Sequence, residues 1–158
     1  GYDKYPSPEF EALGARYAKP GEIGATADII SLHCPLTPET HHIVNRVTLA
    51  RTKRGALLIN TSRGGLIDTE ATIEALKSGQ LGGLAIDVYE QEADLFFRDL
   101  SSTVISDDVF QRLLSFPNVI VTGHQAFFTE EAISTICETT INSVTEFANG
   151  QALTNEIR

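Results

Sequence analysis

Four short apolar runs punctuate the chain: Asp28–Leu32 (DIISL), Ala56–Ile59 (ALLI), Leu84–Val88 (LAIDV) and Val119–Val121 (VIV). Their length and β-branched content predict buried strands. Segments of helical period lie between them. Thr69–Ser78 carries Asp68 as its cap, Glu70 in the first turn, Lys77 in the last and Gly79 as a stop, with Ile73 and Leu76 on one face. Val47–Thr52 is a shorter helical stretch ended by Gly55. Glu130–Ala148 presents Ile133, Ile136, Cys137, Val144 and Phe147 at three-to-four spacing and predicts a long helix closed by Gly150. Strands alternating with helices imply βαβ units, and hence an α/β fold: a Rossmann-like parallel sheet with helices on both faces. In such a sheet Ala56–Ile59 is expected to be buried on both sides. Glu92–Leu113 has neither period. It reads as an irregular, Asp- and Ser-rich excursion from the sheet anchored by Phe96, Phe97 and Phe110, within which Asp107-Asp108 is a solvated turn or a helix start.

Composition narrows the function classes. The net charge is −9, from 12 basic and 21 acidic residues, and no run of lysine and arginine interrupts it. That argues against nucleic acid and anionic membrane as principal partners. No apolar stretch approaches the roughly 18 residues of a membrane span, and no signal-peptide pattern opens the chain, so a soluble protein is expected. Two cysteines, Cys34 and Cys137, form no disulfide framework and fit a reducing compartment, the cytoplasm. The sequence has no methionine and opens on Gly1-Tyr2-Asp3, which reads as the tail of a strand. The expectation is a piece of a longer chain.

The chemistry gathers where the strands end, which is where an open parallel sheet binds ligands. His33-Cys34-Pro35 follows the first strand and Asn60-Thr61-Ser62-Arg63 the second. Asp87 closes the third, with Glu90 and Glu92 just beyond, and Gly123-His124-Gln125 follows the fourth. Arg63 offers a planar fork suited to a carboxylate or phosphate. Alone it could equally be a surface arginine in a salt bridge; the convergence of all four strand ends favours a cleft. His124 could be a satisfied core histidine. Beside Glu92 it would instead be a general acid and base. His33, His41 and His42 raise a metal, but the His41-His42 pair is adjacent rather than at i, i+4 spacing and no cysteine cluster accompanies it, so no metal site is expected. Cys34 has no obvious group to activate it and suits a ligand wall. Asp3 gains meaning only if a glycine-rich phosphate loop precedes it, which this sequence does not contain.

The segments DIISLHCPLTPET, LLINTSRGGLID, AIDVYEQE and NVIVTGHQAFFTEEA, in that order, resemble the signatures of the D-2-hydroxyacid dehydrogenases. Within that family, DLFFRDLSSTVISDDVFQRL and GHQAFFT are most similar to its fermentative D-lactate branch. The resemblance covers essentially the whole chain. It implies two Rossmann-like domains, with residues 1–126 forming part of the NAD-binding domain and 127–158 returning to the substrate domain. The N-terminal substrate domain and first βα unit would lie outside this sequence, so the chain alone is not expected to catalyse.

The resemblance also implies roles. Arg63 would bind the carboxylate of pyruvate. His124 would donate the proton that yields D-lactate, and Glu92 would keep it protonated. Asp3 would hold the adenosine ribose of NAD, Cys34 and Pro35 would line the adenine side, Thr61 and Ser62 would lie along the cofactor, and Asp87 would face the nicotinamide. Phe127 would wall a small-substrate pocket together with Arg63 and His124. Thr40 departs from the pattern, which leads us to expect an asparagine there. A homo-oligomer is expected of the full-length protein. Three other readings stay open: a dehydrogenase for a bulkier, glycerate-type or phosphorylated 2-oxo acid, a nucleotide-binding regulatory or dimerising module, and a truncated, non-functional gene product.

Overall fold

The computed structural model describes residues 1–97 and 99–157. It divides into two compact units, Gly1–His124 and a second that begins at Gln125. Among the described residues the first holds strands β1 (Ile29–Leu32), β2 (Ala56–Asn60), β3 (Leu81–Ile86) and β4 (Val119–Val121), and α-helices α1 (Pro8–Ala12), α2 (Pro20–Thr26), α3 (Arg46–Leu49), α4 (Thr69–Lys77) and α5 (Asp108–Leu114). All strands are parallel and lie in the order β1-β2-β3-β4. This is the expected Rossmann-like sheet with helices. Among the described residues no helix is long and apolar enough to cross a membrane.

The helices begin where capping chemistry allows. Asp68 accepts from the Ala71 N–H at 2.9 Å to start α4, and Asn45 forms a capping box with Thr48 at α3. Pro8 and Pro20 open α1 and α2, where a missing N–H is harmless. Leu58, Leu84 and Ile86 pack against Ile73, Leu76, Phe110 and Leu113 from α4 and α5 in one continuous core. The other face differs from expectation. Leu57 is 43% exposed, and Ile29 and Ile120 on the same side of the register are 58% and 67% exposed. Double burial of β2 therefore holds for one face only.

Two further expectations are corrected. The third strand starts at Leu81, three residues before the apolar run predicted at Leu84–Val88. Gly82 and Gly83 resemble turn residues but serve close packing: a Cβ on Gly82 would lie 2.3 Å from the Gly55 carbonyl oxygen. Asp87 and Val88 lie beyond the paired stretch. The excursion is less irregular than its pattern suggested, because Asp107 caps α5 by accepting from the Phe110 N–H at 2.8 Å. Phe110 is buried and meets Phe96 edge-on at 5.7 Å, whereas Phe97 is exposed and anchors nothing in the core.

The second unit is built on α6 (Glu130–Ala148), capped by Thr129 through the Ala132 N–H at 3.2 Å. Its apolar positions Ile136, Ile141, Val144 and Phe147 are exposed.

Candidate active site at the carboxyl edge of the sheet

Parallel strands deliver all their exits to one edge, and hydrogen bonds tie those exits together. The Asp87 N–H donates to the Asn60 carbonyl at 3.0 Å, and the His124 N–H donates to the Asp87 carbonyl at 2.7 Å. The Ser62 hydroxyl donates to the Cys34 carbonyl at 2.7 Å, which joins the exits of β1 and β2. The result is one continuous rim.

On this rim His124 and Glu92 meet across 32 residues of sequence: the imidazole Nδ1–H donates to Glu92 Oε1 at 3.0 Å. The other carboxylate oxygen accepts from the Tyr89 N–H at 3.0 Å, so Glu92 is held at both ends. Gly123 and His124 leave β4 in a turn that places His124 at a φ of 54°, in the left-handed region. Such a backbone costs about 1–3 kcal/mol in a residue with a side chain and concentrates at functional positions. Side-chain exposures of 30% for His124 and 19% for Glu92 leave the pair reachable yet partly desolvated. Phe97 meets the imidazole at a tilt, ring centres 5.8 Å apart and planes inclined by 52°.

Arg63 is exposed and its Nη1 donates to the Ser62 carbonyl at 2.7 Å. Its loop is clamped by Asn60, which is fully buried, donates to the Arg63 carbonyl at 2.9 Å and accepts from the Ser62 N–H at 3.1 Å. Asn60 escaped sequence reasoning, although a lone amide closing an apolar strand is the signal for such a clamp. Gly64 completes the fit. A Cβ there would stand 2.1 Å from the Tyr89 carbonyl carbon, so only glycine lets the Arg63 loop lie against the segment that carries Glu92.

The remaining predicted residues are placed as follows. Asp87 is buried and accepts from the Thr122 hydroxyl. Cys34 is half-buried, and burial pushes its thiol above the usual range, which suits a wall and not a nucleophile. Pro35 and Thr61 are exposed on the rim. Thr40 holds the loop after β1 by donating to the Pro35 carbonyl and accepting from the Thr37 N–H, each at 2.7 Å. Asp3 is exposed and accepts from the Tyr5 N–H at 2.7 Å through Oδ1. Phe127 belongs to the second unit, where it meets Phe128 edge-on at 6.3 Å.

Tyr89 is an unpredicted member of the framework. Its hydroxyl donates to Asp107 Oδ2 at 2.9 Å while Asp107 Oδ1 caps α5, so one carboxylate ties the excursion to the site. Burial, with the Asp107 carboxylate beside it, pushes the Tyr89 phenol well above its ordinary range.

Residues 1–126 match the family model described as D-isomer specific 2-hydroxyacid dehydrogenase, NAD binding domain. Over 148 residues the chain is 53% identical to 2-hydroxyacid dehydrogenase homolog 1 of Schizosaccharomyces pombe, covering 94% of this chain and 45% of that protein. It is 47% identical over 156 residues to the D-lactate dehydrogenase of Escherichia coli, covering 99% of this chain and 47% of that one. The pyruvate reductase of Chlamydomonas reinhardtii superposes with a TM-score of 0.91 at 46% identity, over 98% of this chain and 47% of its own. The chain thus spans about half the length of the relatives it matches.

Proposed function

Because this chain belongs to the D-isomer specific 2-hydroxyacid dehydrogenases, through their NAD-binding domain, we propose that the protein reduces pyruvate to D-lactate with NADH. The observation that carries this reading is the His124–Glu92 bond, formed between residues far apart in sequence on a rim that also carries Arg63. NADH, when bound, supplies the hydride that reduces the substrate at C2. The residues present suit it: Cys34-Pro35, Thr61-Ser62 and Asp87 follow three neighbouring strands at the edge where a parallel sheet receives a dinucleotide. Asp3, with Oδ1 engaged by Tyr5, has Oδ2 to accept a ribose hydroxyl.

Each side chain then has a task. Arg63 binds the substrate carboxylate with its fork and orients the keto group. Glu92 holds Nδ1 of His124, which leaves Nε2 to carry the proton to the carbonyl oxygen and to remove it in the reverse direction. Residues 1–126 act as the cofactor domain and 127–158 as the return to a substrate domain.

The test uses the full-length protein, with pyruvate and NADH. Pyruvate-dependent NADH oxidation yielding the D isomer, reduced by about 10²–10⁴ in the His124→Gln variant, is the expected result. A rate that His124→Gln leaves unchanged overturns the role of His124. A faster turnover of a bulkier or phosphorylated 2-oxo acid replaces pyruvate as substrate and keeps the chemistry.

A further inference from the structure

Behind the Arg63 loop, the first and third strand exits bring together His41, His42 and Glu90. Each offers one ligand atom, and these atoms lie within 4.8 Å of one another, the one such group among the described residues. We propose that these three side chains form a binding site for a borderline divalent transition ion of the Zn²⁺ class.

Neighbouring side chains in extended backbone point to opposite sides, so an adjacent pair of histidines seldom serves one ion. Here the pair is rearranged. His42 has a φ of 50°, left-handed backbone that a side-chain-bearing residue adopts at a cost. The turn stacks the two imidazoles 4.0 Å apart and 23° from parallel, with one ring nitrogen of each within 4.8 Å of the other and of a Glu90 oxygen. It is pinned from both sides, by the His42 N–H donating to the Gly65 carbonyl at 2.9 Å and the Asn45 amide donating to the His42 carbonyl at 2.9 Å. The third ligand comes from 48 residues away, with Glu90 Oε1 sitting 2.6 Å from His42 Nε2. Spacing along the chain, which argued against a metal, is blind to it.

Glu90 is also prepared as a ligand. Its second oxygen is held by the Thr69 hydroxyl at 2.7 Å and the Thr69 N–H at 3.3 Å, which orients Oε1 toward the histidines. An outer partner of this kind fixes the geometry of metal-binding carboxylates. Two imidazoles and one carboxylate suit Zn²⁺ at about 2.0–2.2 Å and leave a coordination position open. The ion would take the place of the hydrogen bond between His42 Nε2 and Glu90 Oε1. The inference does not depend on the dehydrogenase reading, since none of the three residues belongs to its reacting set.

The test is calorimetric titration of Zn²⁺ into the chelator-stripped full-length protein, with Co²⁺ as a spectroscopic probe. We expect one saturable ion per chain and a tetrahedral or five-coordinate Co²⁺ spectrum. His41→Gln, at an exposed position, and Glu90→Gln should each weaken binding at least about tenfold, as should Thr69→Ala. His124→Gln, which removes the only other histidine paired with a carboxylate among the described residues, should leave the affinity unchanged. Absence of stoichiometric binding, binding indifferent to His41→Gln and Glu90→Gln, or binding abolished by His124→Gln would each overturn the site.

Discussion

Gly64 and Tyr89 are in backbone contact so close that a single methyl group at position 64 would stand 2.1 Å from the Tyr89 carbonyl carbon. Neither partner is a flexible side chain, so nothing rotates out of the way. Gly64→Ala must push the Arg63 loop away from the segment bearing Glu92. We expect a loss of about 1–3 kcal/mol in stability, together with a fall in kcat/KM larger than the stability change explains. Chemical denaturation and steady-state kinetics on the same preparation check this. An alanine variant with ordinary kinetics would show that the contact does not position the site.

Glu92→Gln keeps the shape of the side chain and removes its charge. The amide can still meet His124, but it no longer stabilises a protonated ring. The expected outcome is a decrease in kcat of about 10²-fold with KM for pyruvate little changed, because the interaction matters when the proton moves. A KM effect without a kcat effect would assign Glu92 to binding.

Arg63→Lys and Asn60→Ala separate contact from positioning. Lysine substitutes a point charge for a planar fork. Loss of one charge-assisted hydrogen bond, at about 1.5–3 kcal/mol, predicts a kcat/KM lower by about 10–100-fold with an unchanged melting temperature. Asn60 is fully buried and bonded to the Arg63 loop at two points. Its alanine variant should lower both melting temperature and kcat/KM, and that double effect is the signature of the clamp.

Tyr89 makes stability depend on alkaline pH. Its phenol ordinarily ionises near 10, and in the folded protein it ionises well above that. Between the two values the unfolded chain releases a proton that the folded chain keeps, so unfolding gains from each step upward in pH. The stabilisation is complete below the ordinary value and declines as pH rises through it toward the folded one. Tyr89→Phe removes this slope and also the bond to Asp107, at about 1.5–3 kcal/mol. Urea midpoints of both proteins, compared at neutral pH and above 10, should converge as pH rises.

Strands and their exits were legible in the sequence because apolar runs and strand-end polarity are local signals. Arg63, Glu92 and His124 could be nominated on that basis alone, and the fold brings the last two into contact. What escaped was non-local. The start of β3 was hidden behind Gly82 and Gly83, whose role is to admit another backbone. Helix α5 has only seven residues, and Asp107 announces it no more clearly than it announces a turn. Phe97 has the composition of an anchor but stands at the imidazole. Glu90 joins His42 through a fold-level approach that no spacing rule encodes.

Strand order equal to chain order gives the molecule a direction in time. Each strand needs only the one made before it as a neighbour, so the sheet can lengthen from β1 to β4 as the polypeptide leaves the ribosome. Glu92, delivered after β3, then waits for the chain to traverse the excursion and lay down β4. Only at that moment does His124 arrive beside it. The His124–Glu92 contact is the last this rim assembles, and a polypeptide stalled before β4 carries Arg63 and Glu92 without the histidine that meets Glu92.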